Sequence, residues 1–171
     1  SFFYTHWLDV ILYRTMIGLQ VQVHVAKQIL EVFSEANRDG VSVHFLAHSL
    51  GTAVLHDTLF KLFNKRFKNS DGLPPYNLKA GHQVFISSIS MVANVSQLFD
   101  AVGQVNLKAP DYLTPYNSCV KPGPDGICYR FLNVCHKLDP IPLLNKFKPN
   151  GKWSEIELGR YIDIRPRALS Q

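Results

Sequence analysis

Between residues 41 and 67 a short β-branched run passes through a small-residue turn straight into a helical pattern, and this juncture constrains the fold most. Val41-Ser-Val-His-Phe-Leu46 has the length and branching of a buried strand. Ala47-His48-Ser49-Leu50-Gly51 follows as a tight turn. Leu50, Val54, Thr58, Leu59, Leu62 and Phe63 then recur at helical spacing, predicting a helix to about residue 67 with a basic outer face. Upstream, Ile17, Val21, Val25, Ile29, Val32 and Phe33 form an apolar stripe over about residues 16–37. Gln20, Gln22, Lys27, Glu31 and Glu35 fall mostly off that stripe, so the segment reads as an amphipathic helix packed on a sheet. Gly40, in Asn37-Arg38-Asp39-Gly40, suits the left-handed cap that would end it.

The same alternation continues downstream. Loop residues occupy 69–75, and Val84-Phe-Ile-Ser-Ser-Ile89 reads as a strand. Ser90 is suited to cap a short helix carrying Val92, Val95, Leu98, Phe99 and Val102. Residues 103–126 hold four prolines and little periodicity, as a lid, a binding loop or a mobile connection would. Tyr129-Arg-Phe-Leu-Asn-Val-Cys135 is the next strand, ending in His136-Lys-Leu-Asp139-Pro-Ile-Pro142, and a weaker strand is expected over 160–164. Strands separated by helical crossovers imply the α/β class, a parallel sheet with helices on both faces. Ligand chemistry in such sheets gathers at the carboxyl ends of strands, which here means the turns at Ser49 and Asp139.

A serine on a sharp strand-to-helix turn has a specific chemical use. Its hydroxyl is held at the sheet's edge, and Ala47 and Gly51, two residues either side, are small enough for strand and helix to approach. The amides opening the helix face the place where an oxyanion would develop, the N–H of Leu50 first among them. The run Val43-His-Phe-Leu-Ala-His-Ser-Leu-Gly-Thr-Ala53 resembles the nucleophile elbow of α/β-hydrolase-fold lipases and esterases, which often read G-H-S-L-G. Ala47 stands here for the first glycine, a mild departure, and His48 occupies the usual histidine position. Residues 131–142 look like the strand and turn that present the acid in those lipases, which makes Asp139 the acidic member, although Asp100, Asp111 and Asp125 are also available. The order serine then acid is that of the family. The resemblance covers roughly residues 5–142. It implies a serine hydrolase of carboxylic esters, most readily of lipids, with Ser49 as nucleophile, Leu50 N–H in the oxyanion hole, and neither metal nor organic cofactor.

The family's catalytic histidine follows the acid, and none of the seven histidines (His6, His24, His44, His48, His56, His82 and His136) lies beyond Asp139. His136 is the best stand-in by position, while His24, His44, His48 and His56 read as packing or loop-bonding residues. Two explanations stand. One is that the 171 residues are a single α/β-hydrolase-like domain lacking its early strands and its C-terminal end, with the base outside them. The other is a domain that has lost its base and serves as a structural or interaction subunit of a larger assembly. Only one helical segment precedes the elbow strand, where the family has several earlier strands that also carry the second oxyanion donor, and this favours the first.

Composition narrows the classes further. At 46% hydrophobic and 18% charged residues the chain has the apolar content of a packed domain, which excludes intrinsic disorder. No apolar run approaches the roughly 18–20 residues of a membrane-spanning helix. A net charge of +5 falls short of a nucleic-acid-binding signature. Lys61, Lys65, Arg66 and Lys68, with the basic tail from Lys146 to Arg167, read as a solvated face or as a surface for anionic phospholipid head groups. Cys119 and Cys128 flank a Pro-Gly turn that could close a small disulfide loop or leave both thiols free, so the compartment stays open.

Overall fold

Helix α1, Gly18–Asp39, is entered through a π-helical turn at Tyr13–Ile17. Only a glycine fits at the end of that turn, since a Cβ on Gly18 would lie 2.1 Å from the Tyr13 carbonyl oxygen. The computed structural model describes residues 12–80, 86–97 and 118–134. Gly40 ends the helix as expected: its φ is 65°, and its N–H donates to the Ala36 carbonyl. The buried stripe is Gln22, Ala26, Ile29, Leu30, Phe33 and Ala36. That stripe is rotated from the expected one, leaving Ile17 and Val32 exposed and turning Gln22 inward. Val32 is one helical step, about 100°, from Phe33 and cannot share its face.

Three strands follow: β1 at Val43–His48, β2 at Ile86–Val92 and β3 at Cys128–Val134. They form a parallel sheet in the order β1-β2-β3. Helix α2, Leu50–Phe63, connects β1 towards β2. The chain is thus an α/β fold in its described part. Phe45, Ile89 and Phe131 share one register row and join a core with Ile29, Phe33, Leu59, Leu62 and Met91. Phe33 meets both Phe45 and Phe63 edge-on, at 6.1 and 6.4 Å between centroids, so α1, α2 and β1 close on one another. Both helices therefore cover one sheet face. On the opposite face of β1, His44, Leu46 and His48 are exposed. Helices on both faces are thus realised on one face by the described residues.

Two boundaries differ from expectation. Helix α2 stops at Phe63, four residues early, in a left-handed cap: Lys65 adopts a φ of 52°, its N–H donates to the Leu62 carbonyl at 3.3 Å, and the Arg66 N–H donates to the Lys61 carbonyl at 2.8 Å. Ser90 does not cap a helix. It pairs with Leu46 and Leu132 in the middle of the sheet, and β2 runs on through Val92, because a strand flanked on both sides satisfies its backbone in two ladders. Leu98, Phe99, Val102 and the strand expected over 160–164 lie outside the described residues.

Lys61 leaves the expected basic face: its ammonium donates to Gln22 Oε1 at 2.5 Å and stands 5.7 Å from the Phe67 ring centroid. Cys119 and Cys128 are both free thiols, so the turn between them closes without a bridge. Backbone bonds close it instead, with Ile127 N–H donating to Lys121 O at 3.0 Å and Gly126 N–H to Gly123 O at 2.9 Å.

Candidate nucleophile elbow

The turn between β1 and α2 is a single residue. His48 ends the strand, Leu50 begins the helix, and Ser49 makes the reversal with φ 51° and ψ −128°. For a residue with a Cβ this conformation costs roughly 1–3 kcal/mol and persists only where the surroundings impose it. They do so from both sides. Ser49 N–H donates to the Val92 carbonyl at 2.9 Å. The Ser49 carbonyl accepts from Thr52 N–H at 2.9 Å and from the Thr52 hydroxyl at 2.6 Å.

The side chain of Ser49 is left out of this bonding. A serine before a helix ordinarily bonds an amide of the first turn, but Ser49 makes no such cap, because the Thr52 amide already has the Ser49 carbonyl. Ser49 and Leu50 are half-buried. Among the described residues, nothing accepts from the Leu50 amide, which leaves it able to bind an anion at the positive end of the helix. Hydroxyl and donor thus sit on adjacent residues at the carboxyl end of β1.

Of the other elbow positions, Ala47 is half-buried against the core and pairs with Met91, while His48 is exposed and pairs with Val92. Gly51 is exposed, and a Cβ there would meet nothing within 4 Å. Crowding between strand and helix therefore does not require glycine at 51 among the described residues, which corrects the steric expectation.

Among the described histidines, His44 and His56 have side-chain partners other than Ser49. His44 Nδ1 and Ser88 Oγ are hydrogen-bonded at 2.8 Å across β1 and β2 on the exposed sheet face. His56 lies 3.5 Å from Asp57 Oδ1 and stacks on Phe60, and His24 is exposed on α1. Asp125 sits in the loop entering β3, at the amino end of a sheet whose carboxyl end carries Ser49. Seven residues of strand, about 23 Å, separate those ends, so Asp125 is no partner for Ser49. Asp139, His136, Asp100, Asp111, His6 and His82 lie outside the described residues. Among the described residues, no group of three or more His, Cys, Asp or Glu side chains could hold a metal ion.

Two features were not anticipated from pattern. Asp57, buried on α2, accepts from the Tyr13 hydroxyl at 3.1 Å and from Gln22 Nε2 at 3.5 Å, and Gln22 Nε2 also donates to Tyr13 at 2.7 Å. This network joins the π-helical turn, α1 and α2 just behind the apolar contact of Tyr13, Ala53 and Val95. A lone acid beside the inner stripe of α2 was its only sequence signal. The second feature is a pair of hydrogen bonds across the carboxyl ends of the strands, one between backbone groups and one between side chains. Ala93, with φ 50°, donates its N–H to Val134 O at 2.9 Å, and Asn94 Nδ2 donates to Asn133 Oδ1 at 2.8 Å. Comparison of the chain with protein-family models, curated proteins and solved structures gives no match.

Proposed function

We propose that the protein is a serine hydrolase that cleaves carboxylic esters, those of lipids foremost, through an acyl-enzyme. The observation that carries this reading is the backbone of Ser49: a strained positive-φ serine between a parallel strand and a helix, with its hydroxyl kept out of the helix cap. Nothing in an ordinary turn needs that strain. The lipid class follows from the resemblance of Ala47-His48-Ser49-Leu50-Gly51 to the lipase elbow.

In this mechanism a histidine base takes the Ser49 Oγ proton as Oγ attacks the ester carbonyl carbon. The carbonyl oxygen becomes an oxyanion and is bound by Leu50 N–H, a donor already oriented before charge develops. Collapse expels the alcohol, which leaves with the proton from the base. Water then attacks the acyl-serine by the same route, releasing the acid. Asp139 would hold the histidine in the tautomer that keeps its basic nitrogen towards Ser49. No step calls for a metal or organic cofactor, and the basic tail would serve contact with an anionic lipid surface.

A second reading is a non-catalytic α/β-hydrolase-like subunit, favoured by the commitment of His44 and His56 to partners other than Ser49. A fluorophosphonate probe on the full-length protein separates the two. The enzyme is labelled at Ser49, and Ser49→Ala abolishes labelling and lowers ester turnover by about 10⁴-fold or more. A full-length protein that is neither labelled nor active on p-nitrophenyl esters is the non-catalytic subunit.

A further inference from the structure

Resting on the serine-hydrolase reading, we infer that Thr52 is a positioning residue that aims the oxyanion donor. Thr52 is fully buried, and its hydroxyl is used in both directions. It donates to the Ser49 carbonyl at 2.6 Å and accepts from the Val95 N–H at 3.0 Å. The Ser49 carbonyl and the Leu50 N–H belong to one planar trans peptide and point in opposite directions from it. Holding the carbonyl therefore sets the direction of the N–H. With the Thr52 N–H also on that carbonyl at 2.9 Å, the peptide plane has no rotation left that keeps both bonds.

The other half of the clamp reaches across the sheet. Val95 lies just past β2, in the segment whose Ala93 N–H is bonded to Val134 at the end of β3 and whose Val92 carbonyl accepts from Ser49 N–H. Thr52 thus closes a ring: hydrogen bonds join Ser49 to Val92, Val95 to Thr52 and Thr52 to Ser49, and the backbone joins Val92 to Val95. The strained φ of Ser49 is held by this ring, and the orientation of Leu50 N–H follows from it. A methyl group in place of the hydroxyl frees the Ser49–Leu50 peptide to rotate and leaves the buried Val95 amide without its acceptor.

The test compares Thr52→Val and Thr52→Ser with wild type in the full-length protein, with Thr52→Ala against Thr52→Ser as a second pair that isolates the hydroxyl should the valine variant not fold. Readouts are the rate of Ser49 labelling by a fluorophosphonate, and kcat and KM separately on a p-nitrophenyl ester. A misaimed donor costs transition-state binding, not substrate binding. Thr52→Val and Thr52→Ala should therefore lose about 10–100-fold in kcat and labelling rate, with KM within about 3-fold, while Thr52→Ser stays within about 3-fold of wild type. Wild type labelled at Ser49 with Thr52→Val or Thr52→Ala equally fast, or with Thr52→Ser as slow as they are, overturns the role of Thr52 alone. A wild-type protein that is not labelled at all removes the hydrolase reading and this role with it.

Discussion

Replacing Ser49 by glycine should make the protein more stable than replacing it by alanine, although glycine ordinarily weakens an ordered position. Both substitutions delete the hydroxyl, so their difference reports the backbone. With φ 51° and ψ −128°, Ser49 occupies the mirror image of extended backbone, open to glycine and strained for any residue with a Cβ. Relief of that strain is worth about 1–3 kcal/mol. Against it stands the larger unfolded-state entropy of glycine, about 0.5–1 kcal/mol. The net is about 1 kcal/mol in favour of glycine, or a Tm higher by about 2–4 °C for a domain of 150–250 residues. Paired urea and thermal melts of Ser49→Gly and Ser49→Ala measure it. If Ser49→Ala is the more stable, the residue is not strained, and the elbow reading loses the observation that carries it.

Thr58 is fully buried on α2 with its hydroxyl oxygen lacking any hydrogen-bond partner among the described residues, so Thr58→Val should raise stability by about 1 kcal/mol; an unchanged or lower urea midpoint would show that the hydroxyl is satisfied. A Cβ on Gly126 would lie 1.9 Å from the Lys121 carbonyl oxygen and 3.0 Å from the Pro122 carbonyl carbon, both backbone atoms, so Gly126→Ala should cost about 1–3 kcal/mol, readable as a lower melting temperature. Burial pushes the Cys119 thiol from 9.0 up to about 11, with the Asn64 amide opposing, and burial pushes Cys128 up to about 12. Between pH 9 and 11 the unfolded thiols release protons that the folded ones keep. Stability is therefore fully present below about pH 9 and falls as pH rises towards the folded values, by about 1 kcal/mol per thiol at pH 10. Urea midpoints from pH 8 to 10.5 should fall more in wild type than in a Cys119→Ala/Cys128→Ala variant, and parallel pH profiles would exclude this coupling.

Periodicity and turn chemistry are local properties, and what they dictate was legible without coordinates. The strand-turn-helix at Ser49, the cap at Gly40 and the parallel α/β order each follow from residues close in sequence. The rotation of the α1 stripe was not legible, because it depends on Gln22 finding Tyr13, Asp57 and Lys61 on other parts of the chain. Nor was the extension of β2 through Ser90 to Val92, which is imposed by ladders on both of its sides.

The candidate site divides in the same way. That a serine occupies a tight turn ahead of a helix is sequence information, and so is the availability of Leu50 N–H at that helix's first turn. That Ser49 takes a positive φ, keeps its hydroxyl out of the cap, and has its peptide clamped by Thr52 and Val95 is decided only by tertiary structure. The physical reason is that strain of this size cannot hold itself. It needs the Val92 carbonyl and the Val95 amide, more than forty residues away in the chain (43 for Thr52 to Val95), brought to Ser49 by the pairing of β1 with β2.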